Sequence, residues 1–95
     1  MSANKLIYRN HAIKRMFERG IGEADVRAVI DLGEVIQEYP DDVPYPSRLI
    51  LGWCRERPIH VVAAYDNQER TDIVTTVYEP DHSMWEDGFK KRKPT

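Results

Sequence analysis

The hydrophobic period of this chain changes once, at Glu34, and that change constrains the fold more than any other feature. Up to Gly33 the apolar residues recur at helical spacing. Beyond it they alternate or gather in β-branched runs. Two helical segments followed by strand segments predict an α+β domain. In it, two N-terminal helices pack on one face of an antiparallel sheet of about four strands, with a short C-terminal helix or tail. Ninety-five residues suit one such domain over 1–95, with room for a single core.

The first helix is expected over residues 11–19. Asn10 is its N-cap and Gly20 its C′ residue. Ala12, Ile13, Met16 and Phe17 fall on one side, and His11, Lys14, Arg15 and Glu18 form the opposite stripe. The second helix is expected over 23–32, with Glu23 and Asp25 in its first turn and Val26, Val29 and Ile30 turned inward. Strands are expected over 34–39, 48–54, 59–65 and 72–78, and residues 6–8 read as a short strand or a lead-in. Residues 40–46 hold three prolines and form a stiff loop, and 84–93 read as a short helix or an irregular tail. Met16, Phe17, Val26, Val29, Ile30, Val61 and Val74 are the expected core contacts.

Cys54 is the single cysteine, so no internal disulfide can form, and residues 1–10 contain no apolar signal region. The longest apolar runs, 49–51 and 61–65, are too short to span a bilayer. A cytoplasmic protein away from membranes is expected. The net charge of −2 hides an uneven distribution: residues 1–20 carry a local +4, residues 90–93 another +4, and the stretch between them −10. Two basic ends that converge would make a patch for nucleic acid, whereas apart they are solvated ends.

Several residues have chemistry to offer. His11 and Arg15 stand four apart on the polar stripe of the first helix, which sets an imidazole beside a guanidinium able to hold a phosphate. The plain alternative is a solvated helix face. His60 interrupts the most apolar strand, where a polar ring needs a partner. It is either a core histidine bonded to backbone or to Tyr78, or an acid or base on the open face of the sheet. Thr76 and Tyr78 share one face of a strand and can present hydroxyls. Arg48 begins a strand and is either a phosphate ligand or an edge charge. His11, His60, His82 and Cys54 have no metal-ligand spacing, and no phosphate-cradling glycine loop is present, so neither metal nor cofactor is expected.

The stretch His11-Ala12-Ile13-Lys14-Arg15-Met16-Phe17-Glu18-Arg19-Gly20-Ile21 is followed by Pro44-Tyr45-Pro46-Ser47, Pro58-Ile59-His60-Val61-Val62 and Thr76-Val77-Tyr78-Glu79-Pro80-Asp81, then Trp85. In that order and spacing the chain resembles the domain of unknown function 4258 family, over residues 5–89. That family is similar to the RelE and BrnT toxins and, more distantly, to barnase-like ribonucleases. The resemblance implies a RelE-like fold, metal-free RNA cleavage, and often a neighbouring antitoxin, in some cases of the zinc-finger type. By position, His11, Arg15, His60, Thr76 and Tyr78 match its recurrent polar residues. A sequence pI of 5.9 departs from the basic character of RelE-type toxins.

Two functions are therefore expected as alternatives. The first is the toxin of a type II toxin–antitoxin system, an endoribonuclease acting on RNA, ribosome-bound mRNA included. Its substrate's own 2′-hydroxyl attacks the phosphate. His11 and His60 are then base and acid in either order, Arg15 with Arg19 or Arg48 holds the phosphate, Thr76 binds substrate, and Tyr78 orients or donates. The second is a non-catalytic module on the same fold that docks a protein.

Overall fold

A computed structural model describes residues 4–94. The element order is β1 (Lys5–Tyr8), α1 (Asn10–Arg19), α2 (Glu23–Leu32), β2 (Glu34–Tyr39), β3 (Ser47–Cys54), β4 (Arg57–Asp66) and β5 (Thr71–Tyr78). The five strands form one sheet in the order β1-β5-β4-β3-β2. Strands β2 to β5 run antiparallel to their neighbours, whereas β1 lies parallel to β5.

The expectation of a RelE-like antiparallel sheet of about four strands after the helices is overturned by this arrangement. The sheet has five strands and is mixed, and a strand precedes both helices. The reason is that the chain leaves β1 through α1 and α2, builds a four-strand meander, and brings its last strand back beside its first, pointing the same way. Residues 79–94 contain turns and one isolated bridge, Trp85 to Arg92, and no helix.

Both faces of the sheet are covered. On one, Ala12, Met16, Ile21, Val26 and Val29 pack against Ile50, Ile59, Val61, Val74 and Val77. Burial of such side chains contributes roughly 1.5–3 kcal/mol each. At Gly52, α2 sits directly against β3. A Cβ added at Gly52 would come within 2.6 Å of Val29 Cγ2, so glycine there lets the helix settle onto the sheet. On the other face the tail lays Trp85 and Phe89 over Leu49 and Leu51. The Lys90 ammonium meets Glu34 at 2.9 Å, in water beside the β2 edge of the sheet.

Phe17, expected in the core, is 89% exposed, and Ile13 is 51% exposed. Ala12 and Met16 fix the inward direction of α1, and each next residue is rotated by about 100° around the axis, which carries Ile13 and Phe17 to the helix flank.

Candidate functional site

The short length of β1 makes the site. Its pairing with β5 ends at Tyr8 and Val74, so residues 75–78 have no strand on that side. The Arg9 N–H donates to the Val74 carbonyl at 2.9 Å, and α1 starts there, alongside the open stretch of edge. With Ala12 and Met16 turned inward, the neighbouring row His11, Arg15 and Arg19, spaced by four, borders β5. Gly20 ends the helix at φ 64°, the left-handed conformation glycine adopts without strain.

From the strand side, Thr76 and Tyr78 project into the same space, and the tail adds Asp81, Met84, Trp85 and Arg92. These groups line an open pocket of about 350 Å³. Arg92 stacks over the Trp85 ring, 5.8 Å from its centre. Arg15 reaches Glu18 at 3.7 Å with both side chains half in water, a pair too loose to tie it down.

Two carboxylates share the wall, and each has a partner of its own. Glu79 accepts from Arg57 Nε at 2.7 Å, while the same guanidinium donates to the carbonyls of Arg19 and Gly20 at the electronegative end of α1. Asp81 accepts the Ser83 N–H at 2.9 Å, and its bonds to Ser83 hold its carboxyl below the usual carboxylate range. Glu79 is matched by Arg57, so the guanidiniums of Arg15, Arg19 and Arg92 outnumber the ionised Asp81 and make the pocket cationic.

His60 does not line this pocket. Its ring is wholly buried behind Tyr78, edge-on to Trp85 at 4.5 Å. Nε2 lies 2.8 Å from the Phe89 carbonyl, which can only accept, so this nitrogen carries the proton. Nδ1, 3.1 Å from the Tyr78 hydroxyl, is then the acceptor. Burial pushes the His60 pKa down, against the opposing effect of the bond to Phe89, and keeps the ring neutral. Burial also pushes the Tyr78 phenol up, an effect that Tyr39 reinforces and Arg92 opposes. Tyr78 thus spends its own proton inward and turns its oxygen lone pairs toward the pocket.

Of the seven residues singled out from sequence, His11, Arg15, Arg19, Thr76 and Tyr78 come together here. His60 supports Tyr78 from behind. Arg48 is elsewhere: its guanidinium pairs at 3.0 Å with Asp72, a carboxylate only 1% exposed. Arg92 belongs to the basic run 90–93, which gave no sign of which of its four residues reaches the pocket, and Asp81 ended the Thr76–Asp81 stretch with no role assigned to it.

No helix among the described residues is long and apolar enough to cross a membrane. No curated protein and no solved structure matches the chain. One family model, described as a domain of unknown function (DUF4258), matches residues 8–79, which include His11, Arg15, Arg19, Thr76 and Tyr78 but not Asp81, Trp85 or Arg92. Since that match spans well over half of its length, the chain belongs to the DUF4258 family.

Proposed function

We propose that this protein is a metal-independent endoribonuclease whose reaction takes place in the pocket between α1 and β5. The observation that carries the reading is the convergence of one imidazole, three guanidiniums and a tyrosine oxygen, from three separate stretches of chain, on one open pocket. Transfer at a ribose phosphodiester needs a base for the 2′-hydroxyl, an acid for the leaving 5′-oxygen, and positive charge at the phosphate.

Arg15, Arg19 and Arg92 hold the phosphate. His11 takes the proton of the 2′-hydroxyl as its oxygen bonds to phosphorus. It returns that proton to the 5′-oxygen as the P–O5′ bond breaks, leaving a 2′,3′-cyclic phosphate. Tyr78, its own proton held by His60, presents acceptor lone pairs at the pocket wall and leaves the 2′-hydroxyl proton to His11. The likeness to the RelE and BrnT toxins belongs to this proposal as one of activity, not of fold. A cytoplasmic antitoxin covering the pocket would silence it. The flank formed by Ile13 and Phe17 is an apolar surface such a protein partner would use, and it also suits a purely protein-binding role.

The test is purified protein on RNA, free and ribosome-bound, with and without a chelator. Cleavage to cyclic phosphate ends is expected in both conditions. His11→Ala and Arg15→Ala should each lower it about 100-fold, the usual worth of one acid–base or charge-stabilising group. Because both side chains are exposed, stability should change by no more than about 0.5 kcal/mol. Wild-type protein that cleaves neither substrate overturns the proposal.

A further inference from the structure

We infer that the slot between Trp53 and His82 binds a nucleobase adjacent to the phosphate held in the α1–β5 pocket. This rests on the RNA reading above and adds to it a second site with its own ligand chemistry. The slot is a cavity of about 620 Å³, larger than the phosphate pocket, and the two share Glu79 and Pro80 as a common wall. A chain that places its phosphate on one side of that ridge can lay its neighbouring base on the other.

The slot is aromatic where the pocket is cationic. Trp53 is 52% exposed, and its ring forms a wall of the slot. Behind it, the buried Phe89 ring lies edge-on to Trp53 at 6.0 Å and to His82 at 4.8 Å. Phe89 also supplies the carbonyl that receives His60 Nε2 at 2.8 Å. One buried imidazole thus fixes both the tyrosine of the phosphate pocket and the aromatic floor of the slot. A rigid ring gives up little freedom on binding, and every base has a π-face, so a cationic groove beside an aromatic platform is the arrangement that takes single-stranded nucleic acid. Arg55 and Glu56 on the slot's rim offer a donor and an acceptor to the edge of the stacked base.

The probes are a non-cleavable 2′-deoxy dinucleotide and two counterparts, each lacking one base. Binding to every variant is read by titration calorimetry, with tryptophan fluorescence added for the wild type and folding of every variant checked by circular dichroism. The intact dinucleotide should quench Trp53 emission saturably and bind roughly 10-fold or more tightly than the weaker of the two abasic counterparts. Trp53→Leu should erase that preference while leaving the affinity for the weaker abasic counterpart, which lacks the slot's base, unchanged, and Trp53→Phe should restore part of it. Equal binding of all three probes, abolished by Arg15→Ala, would overturn the base subsite and leave the phosphate pocket standing. A base preference that depends on Trp53, in a protein that cleaves no RNA, would support the subsite and sink the catalytic reading. Absence of binding by every probe overturns the inference.

Discussion

The Tyr78 hydroxyl lies 3.1 Å from Nδ1 of His60, and the other nitrogen of that ring holds the Phe89 carbonyl at 2.8 Å, so both hydrogen-bonding positions of a wholly buried imidazole are filled. His60 is a positioning residue on this geometry. Its replacement by alanine should open a cavity and leave the Phe89 carbonyl without its donor. A loss of about 2–4 kcal/mol is expected in chemical denaturation. Unchanged stability together with lost cleavage would return His60 to a direct chemical role.

The same ring predicts a pH dependence. In the unfolded chain His60 takes up a proton near pH 6.5. In the folded protein burial lowers its pKa, so the unfolded state binds more protons as pH falls through 6.5, and stability drops there. The contribution is complete above that pH. Urea midpoints should therefore be lower at pH 5.5 than at pH 7.5. His60→Gln, which keeps a donor and an acceptor but does not titrate, should show a smaller drop. An equal drop in both proteins would assign the dependence to other groups.

Arg48 should behave as part of the scaffold. Its loss strands the Asp72 carboxylate, which is 1% exposed and whose other oxygen accepts from the Asn4 amide at 3.3 Å. Breaking a buried pair in this way costs roughly 3–5 kcal/mol. Arg48→Ala should therefore lower the thermal midpoint markedly while cleavage per folded molecule stays the same. A stable Arg48→Ala protein with lost cleavage would move Arg48 into the site.

Gly52→Ala tests the seat of α2. The added Cβ meets Val29, so the helix must lift or the valine must turn. Overpacking of this kind costs about 1–3 kcal/mol. Gly20→Ala has no such clash, and any loss there should come from its left-handed backbone alone. If the two variants show the same small loss, α2 is not seated on Gly52 as described.

How far the sequence could be read depended on whether a feature had a local signature. The period and end signals of α2 mark the observed Glu23–Leu32 helix, and the polar stripe of α1 marks two residues of the pocket, His11 and Arg15. β1 was uncertain because four residues at a sheet edge, alternating between exposed and half-buried, carry little pattern. Its parallel pairing had no local trace at all. Phe17 misled because hydrophobicity alone does not say which flank of a narrow helix faces inward. His60 announced that it needed partners, and both a backbone carbonyl and Tyr78 supply them. Arg48 gave no hint of Asp72, which lies two strands away in the sheet. Arg92 became visible only when the tail folded back beside Trp85.

The parallel pairing of β1 with β5 also bears on when activity can appear. The meander from β2 to β5 closes largely through short connections, whereas β1 must find a strand from the far end of the described chain. Contacts between distant residues slow folding, because the loop between them has to be closed before the pairing repays it. His11 and Arg92 line one pocket only after that step and the docking of the tail. A nascent or half-folded chain can hold most of a sheet and still lack the assembled pocket, so on the proposed reading any activity waits for the long-range contacts.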